Sequence, residues 1–226
     1  AAAHGALLVV DNTFTTPAMF RPMQHGADIV INSITKFLAG HSDVTLGYVA
    51  ARDLGLRTAI YDAAVTWGTT PSPFDCWLAE RGLHTFDLRF EKAQATAAAL
   101  ADALAGRDGI RQVIYPGRTD HPHHNRAGAL FGGQFGNMLS FEIEGGRDEV
   151  NSFVMNAGSI PFAPTLGDVG CTLSHPASSS HRALTEESRA ALGISEGYFR
   201  LSVGIEPPEL VLAELDDALA AVRGES

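Results

Sequence analysis

One lysine, Lys36, lies in a turn rich in hydroxyl and glycine residues, between the apolar segments ADIVINS and TLGYVAA. Ser33 and Thr35 precede it. A lysine on a solvated surface loop has no special chemistry, and spacing alone leaves that alternative open. At the end of a buried strand, a lysine reaches a pocket at the sheet edge, where desolvation favours the neutral amine that attacks carbonyl groups. Ser33 and Thr35, with nearby backbone N–H groups, would then hold a phosphate.

Asp11 provides a carboxylate at the end of another apolar segment, ALLVVDN. Taken alone, an aspartate in the sequence DNT is equally well explained as a helix cap or turn former. Pyridoxal phosphate requires a lysine that forms a Schiff base, a carboxylate on its pyridinium nitrogen and a cradle for its phosphate. All three parts are present, so Asp11, Ser33, Thr35 and Lys36 form a candidate site for this cofactor.

Three apolar segments position these residues: ALLVVDN, ADIVINS and TLGYVAA. They are continuous rather than alternating, which predicts strands buried on both faces of a parallel or mixed sheet. In such α/β folds, ligands bind at the carboxyl ends of the strands. Asp11 and Ser33 both lie at these ends.

A long amphipathic helix is predicted after the sequence WGTTPSPFD. Apolar residues recur there at three- and four-residue steps, namely Leu83, Phe86, Phe90, Ala93, Ala97, Leu100 and Leu104. At 1.5 Å per residue the helix would span roughly 33 Å, enough to connect two domains.

Beyond this helix the segments IRQVIYPG, NMLSFEIEGG and YFRLSVGIE alternate apolar and polar residues, which predicts an antiparallel sheet with one covered face. A helix beginning at the N-cap Thr185 and another within PPELVLAELDDALAAV complete this part. We therefore predict two domains, residues 1–106 and residues 107–226, the second of α+β class.

The 226-residue chain has a formal net charge of −10, which disfavours nucleic acid or an anionic membrane as a partner. Cys76 and Cys171 are isolated, which argues against a disulfide framework or a cysteine zinc site and favours a reducing, cytoplasmic location. The first apolar segment is too short for a signal peptide or a membrane span. His121, His123 and His124 raise the alternative of a metal site, but no carboxylate is suitably spaced, so we expect no metal.

The segments VVDNTFTTPAMFRP and GADIVINSITKFLAGHSDVTLGYV resemble the signature of the Cys/Met-metabolism family of pyridoxal-phosphate enzymes. This family includes cystathionine γ-synthase, cystathionine γ-lyase, methionine γ-lyase and O-acetylhomoserine sulfhydrylase. The resemblance continues in order through TPSPFDCWLAERGLHT, FGNMLSFE, TLGDVGCTLSHPASSSH and YFRLSVGIE. It implies a fold of the aspartate aminotransferase type (fold type I), in which residues 1–106 are the C-terminal part of the cofactor-binding large domain.

The resemblance also assigns roles to site residues. Lys36 would form the Schiff base with pyridoxal phosphate, Asp11 would pair with the pyridine nitrogen, and Ser33 and Thr35 would contact the phosphate. Arg200 matches the arginine that binds the substrate α-carboxylate, and strand alternation separates it from an apolar face that carries Phe199, Leu201, Val203 and Ile205. Thr165 occupies the position of a serine near that carboxylate. Phe37 replaces the family's usual tyrosine, a change that we interpret as packing.

The family's glycine turn, ring-stacking tyrosine and cross-subunit phosphate contacts precede the segment that matches Ala1, so we expect this chain to supply part of a site and to belong to something longer. The resemblance implies a homo-oligomer, a tetramer of close dimers, with an amino acid as its small-molecule substrate. Pro164 replaces an acidic residue of cystathionine-handling members, which disfavours cystathionine and favours a lyase acting on methionine or homocysteine, or a sulfhydrylase. We predict a carbon–sulfur γ-lyase acting on methionine- or homocysteine-type substrates. Two alternatives remain: a γ-replacement enzyme (O-acetylhomoserine sulfhydrylase or cystathionine γ-synthase), and a non-catalytic remnant or subunit.

Overall fold

The structure is a computed structural model that describes residues 2–225. The chain divides into two compact units, Ala1–Leu88 and Arg89–Ser226. This division lies near the beginning of the long helix, whereas the domain boundary predicted near residue 107 lies beyond its end. The physical reason is that the buried stripe of the helix contributes Ala97, Leu100 and Leu104 to the core of the second unit.

The first unit is built on a three-stranded sheet, and all three predicted strands are confirmed: β1 Val9–Asp11, β2 Ile29–Ser33 and β3 Gly47–Ala51. The strand β2 is central, parallel to β1 and antiparallel to β3. The expectation that both faces are buried is wrong for the described residues. Val9, Ile31 and Val49 are 48%, 39% and 49% exposed. An apolar segment indicates a strand, but it does not reveal whether anything covers its second face.

Three helices accompany this sheet: α1 Thr16–Met19, α2 Leu54–Trp67 and α3 Pro73–Leu83. The helix α2 begins at Asp53, whose carboxylate accepts a hydrogen bond from the Leu56 N–H at 2.8 Å. Ser72 caps α3 in the same way through the Asp75 N–H. No residue of α2 is buried. The sequence analysis did not predict α2 or α3.

The second unit contains a four-stranded antiparallel sheet, in the order β4-β5-β7-β6. The strands are β4 Ile110–Ile114, β5 Met138–Ile143, β6 Thr172–Ser174 and β7 Tyr198–Ser202. The alternating segments correctly predicted β4, β5 and β7. In β7 and the residue that follows it, Phe199, Leu201 and Val203 are fully buried as predicted, whereas Ile205 is 39% exposed because it lies beyond the strand.

Among residues 2–225, five α-helices belong wholly or mainly to the second unit: α4 Phe86–Leu104, α5 His124–Phe131, α6 Arg147–Asn156, α7 Glu186–Ala191 and α8 Pro208–Arg223. The predicted stripe of α4 is buried from Phe86 onward, while Leu83 belongs to α3. Thr185 caps α7 as predicted, accepting the Ser188 N–H at 3.3 Å. The apolar faces of α4, α6 and α8 pack in one core with β5 and β7. Within residues 2–225, no helix combines the length and apolar character needed to cross a membrane.

Candidate active site

Asp11 and Ser33 end two adjacent parallel strands, β1 and β2. Asp11 is paired in register with Ile31, so both side chains lie at the same edge of the sheet. Asp11 is exposed, and its Oδ1 atom accepts a hydrogen bond from the Thr13 N–H at 2.9 Å. The fold therefore brings two of the four predicted cofactor-binding residues to one edge, where α/β proteins bind ligands.

Thr13 joins these two strand ends and was not recognised from the sequence. Its N–H donates to Asp11, and its hydroxyl oxygen accepts the Ser33 backbone N–H at 2.9 Å. Its sequence neighbourhood, DNT, suggested only a local turn. The contact with Ser33 joins residues 20 positions apart and has no signature in spacing.

Lys36 lies in a compact turn directly after β2. Its N–H donates to the Ser33 carbonyl at 3.3 Å, and its own carbonyl accepts the Gly40 N–H at 2.8 Å. Gly40 has a φ of +75°, a conformation that glycine adopts without strain. The Lys36 residue is half-buried, and its backbone contact with Ser33 places it directly after the end of β2.

The Lys36 turn also rests on a helix. Gly82 of α3 approaches Ala39 so closely that an added Cβ atom would lie 2.5 Å from the Ala39 carbonyl oxygen. Because two backbones meet without an intervening side chain, the turn has little freedom to shift. The sequence analysis assigned no role to Gly82.

Thr35 has a different local role from the one predicted. Its hydroxyl donates to the Leu46 carbonyl at 3.1 Å and accepts the Leu46 N–H at 2.9 Å. A hydroxyl has a single proton to donate. Thr35 would have to release the Leu46 carbonyl before donating a hydrogen bond to a phosphate. The Ser33 hydroxyl makes no such hydrogen bond among the described residues.

Arg200 and Thr165 meet within the second unit. The Nη2 atom of Arg200 donates to the Thr165 carbonyl at 3.4 Å, a long hydrogen bond. The Nε atom of Arg200 is buried and has no hydrogen-bond partner among the described residues. Burial lowers the pKa of the Arg200 guanidinium, which nevertheless remains charged. This arrangement leaves donor capacity that a carboxylate can satisfy.

The histidine loop has structural contacts of its own. His124 donates from Nδ1 to the Pro116 carbonyl at 2.9 Å and stacks on Phe135. His121 accepts the His123 N–H at 3.2 Å. Among residues 2–225, no group of three or more His, Cys, Asp or Glu side chains is arranged to hold a metal ion.

The residues of the first unit fit the functional groups of pyridoxal phosphate in part. Lys36 provides an amine for the aldehyde, and the exposed carboxylate of Asp11 provides a partner for the ring nitrogen. Ser33 provides one hydroxyl for the phosphate. Phe37, next to the lysine, is only 4% exposed, consistent with its interpretation as a packing residue.

Comparisons with known proteins agree with this chemistry. The model of the Cys/Met metabolism PLP-dependent enzyme family matches residues 1–220. A cystathionine β-lyase of Bacillus subtilis is 41% identical over 219 residues, covering 97% of this chain and 56% of that protein. An L-methionine γ-lyase of Pseudomonas putida is 39% identical, covering 96% of this chain and 55% of that protein.

Solved structures give the same result. A crystal structure of cystathionine γ-synthase from Xanthomonas oryzae pv. oryzae has a TM-score of 0.93 and 44% identity, covering all of this chain and 58% of that one. The chain thus spans a little over half the length of the relatives it matches. The predicted fold class is confirmed, and the chain belongs to the Cys/Met metabolism family of enzymes, whose cofactor is pyridoxal phosphate.

Proposed function

We propose that the protein acts in sulfur amino acid metabolism as a pyridoxal-phosphate-dependent lyase that cleaves a carbon–sulfur bond of a methionine- or homocysteine-type substrate. The observation that carries the proposal is the common edge of β1 and β2, where Thr13 joins the ends that carry Asp11 and Ser33, with Lys36 in the turn directly after Ser33. Family membership supports the reaction class.

In this proposal Lys36 holds the cofactor covalently, Asp11 keeps its ring nitrogen protonated, and Ser33 and Thr35 contact its phosphate. When bound, pyridoxal phosphate supplies an electron sink for charge that develops at the substrate Cα. Asp11 is suited to its role because a carboxylate beside a ring nitrogen favours the protonated form of that nitrogen.

Lys36 also acts as the base. Once the substrate amine has displaced it, the neutral lysine amine takes the proton from the substrate Cα. The same amine then delivers and removes protons at neighbouring carbon atoms, which allows a sulfur substituent at Cγ to leave. The rigid turn from Ser33 to Gly40 suits this task, since proton transfer requires a fixed donor–acceptor distance.

Arg200 and Thr165 recognise the substrate α-carboxylate in this proposal. The unpartnered Nε atom and the single long hydrogen bond of Arg200 support this role, because a guanidinium pairs well with a carboxylate through two parallel hydrogen bonds.

A γ-replacement enzyme is the second candidate. Identity to an O-succinylhomoserine sulfhydrylase of Pseudomonas aeruginosa is 39%, the same as to the methionine γ-lyase, and a cystathionine γ-synthase is structurally similar. Elimination and replacement follow one route until a sulfur nucleophile or water arrives. Pro164, in place of an acidic residue, disfavours cystathionine and so favours a methionine or homocysteine lyase or a sulfhydrylase over a cystathionine γ-synthase. A non-catalytic remnant or subunit is the alternative of another class.

The decisive experiment uses protein expressed from its complete reading frame and loaded with pyridoxal phosphate. Borohydride reduction followed by peptide mapping should place the cofactor on Lys36, and Lys36→Ala should lose both the attachment and turnover. Release of 2-oxobutanoate from L-methionine or L-homocysteine supports the lyase. Product only from an O-acylhomoserine plus sulfide supports the replacement enzyme instead. A wild-type protein that attaches no cofactor at Lys36 would contradict both.

We also propose a homo-oligomer, a tetramer of close dimers. Large apolar side chains of α2 and α3 support association, since Tyr61, Trp67 and Phe74 are 69%, 80% and 65% exposed. Light scattering at several concentrations tests this. We further propose a cytoplasmic location, which the free thiols of Cys76 and Cys171 support.

A further inference from the structure

Residues 165–171 form a loop that is fastened to β7 and to the residues that follow this strand. We call it the 165–171 loop. Gly167 N–H donates to the Ser202 hydroxyl at 3.0 Å, and Ile205 N–H donates to the Val169 carbonyl at 2.9 Å. Together with the contact between Arg200 and Thr165, these bonds make the position of the loop dependent on the segment 200–206.

Glu206 makes the strongest of these connections. One carboxylate oxygen, Oε1, accepts the Cys171 backbone N–H at 2.6 Å, and the other, Oε2, accepts the Cys171 thiol at 3.2 Å. The sulfur atom in turn accepts the Gly204 N–H at 3.2 Å. Because this carboxylate accepts two hydrogen bonds from Cys171, it is the main fastening at the end of the loop.

The packing around Glu206 leaves little room for adjustment. A Cβ atom on Gly204 would collide with the Val169 carbonyl oxygen and the Oε2 atom of Glu206. Burial and the neighbouring Glu206 carboxylate raise the pKa of the Cys171 thiol to about 12, so the thiol remains a hydrogen-bond donor. The loop therefore has one well-defined position while Glu206 is present.

Thr165, at the other end of this loop, contacts Arg200. Five residues separate it from Cys171, which contacts Glu206, and the contacts with Ser202 and Ile205 lie between them. Displacement of the loop would move the Thr165 carbonyl away from the guanidinium and change the direction in which Arg200 presents its free donor. These contacts connect the Arg200 guanidinium to the Glu206 carboxylate, although no hydrogen bond among the described residues joins Glu206 directly to Arg200 or Thr165.

We propose that Glu206 is a positioning residue for recognition of the substrate α-carboxylate by Arg200 and Thr165. This inference rests on the proposed function of these two residues. Glu206 acts through the 165–171 loop and not on the substrate itself.

The test measures the value of a carboxylate in binding, without turnover. L-Norleucine is methionine with a methylene group in place of sulfur, and pentylamine is the same molecule without the carboxylate. The pentylamine Kd divided by the norleucine Kd, both from calorimetry on the cofactor-loaded protein, reports carboxylate recognition. Glu206→Ala should lower this ratio about ten- to a hundredfold, the effect of displacing a binding group by about 1 Å.

Further variants separate the effect of side-chain length at position 206 from the effect of its charge. Glu206→Gln retains an acceptor for the Cys171 N–H and should stay within about threefold of wild type, because the thiol hydrogen bond is weak. Glu206→Asp keeps the charge but is one methylene shorter, and should lower the ratio as Glu206→Ala does. Glu209→Ala removes an exposed carboxylate in the first turn of α8 and serves as the matched control.

Hydrogen exchange of a peptide spanning residues 165–171 provides an independent reading, and exchange should be faster only in the Ala and Asp variants. An unchanged Kd ratio in both of these variants overturns the inference, as does faster exchange with an unchanged ratio. A wild-type protein that binds pentylamine as tightly as norleucine also overturns it. Turnover of L-methionine is assayed separately, so that loss of the proposed reaction is distinguished from loss of carboxylate positioning.

Discussion

Thr13→Val tests whether the hydrogen bond between Thr13 and Ser33 stabilises the ends of β1 and β2, where we propose that the cofactor binds. Valine has nearly the shape of threonine but cannot accept the Ser33 N–H, which now lies 2.9 Å from the Thr13 hydroxyl. Its own backbone N–H still donates to Asp11. The substitution therefore removes one contact and leaves the other in place.

The expected magnitude follows from the burial of the contact. Ser33 is half-buried, so water replaces the lost acceptor only in part. A net loss of about 1 kcal/mol is typical for such a hydrogen bond. If the ordered position of Ser33 is needed for the cofactor, affinity for pyridoxal phosphate falls about fivefold.

The assay is an absorbance titration of the cofactor-free protein with pyridoxal phosphate, accompanied by thermal unfolding of each variant. Thr13→Ser restores the acceptor and should bind the cofactor within about twofold of wild type. Equal weakening in the Ser and Val variants would mean that the methyl group matters instead of the hydroxyl. Unchanged affinity in Thr13→Val would refute the reasoning outright.

Three further predictions concern stability. Gly82→Ala should lower the free energy of unfolding by about 1–3 kcal/mol, because the alanine Cβ atom would collide with the Ala39 carbonyl oxygen. An unchanged midpoint of urea unfolding would argue against this close approach of the two backbones. Leu215→Ala removes a fully buried side chain of α8 and should lower the free energy of unfolding, measured with a denaturant, by about 2–5 kcal/mol. Leu210→Ala, at a 63% exposed position, should change it by less than about 0.5 kcal/mol. Equal losses would contradict the buried and exposed faces assigned to α8. Burial lowers the pKa of His175 from 6.5, so the unfolded chain binds the proton more readily, and the free energy of unfolding should fall as the pH drops below 6.5. His175→Gln should flatten this pH dependence. A slope that persists in the variant would assign the dependence to other groups.

Periodicity predicted the elements whose burial follows from local sequence. The three- and four-residue steps in α4 place Phe90, Ala97 and Leu104 on one buried face, and the two-residue alternation of β7 buries Phe199 and Leu201. These patterns succeed because a helix or strand presents its side chains at a fixed period. The candidate cofactor residues were found in a similar way, since strand ends can be recognised from where an apolar segment stops.

The contacts that organise the candidate site could not be predicted in this way. The hydrogen bond between Thr13 and Ser33 depends on the parallel register of β1 and β2, which neither segment encodes by itself. The connection from Glu206 to Cys171 spans 35 residues and depends on a loop without periodicity. The exposure of Val49 could not be predicted either, because an apolar residue type does not reveal whether another layer covers that face of the sheet.

The contact between Gly82 and Ala39 has a consequence for how this family member can change. A lysine in a turn usually moves with that turn. Here the backbone of α3 packs against the turn that carries Lys36 and limits its movement. Substitutions at the exposed positions of α3 should therefore leave the Lys36 turn in place, whereas a side chain at position 82 would press against that turn. A substitution there therefore offers a way to shift Lys36, the proposed nucleophile, slightly from outside the candidate site.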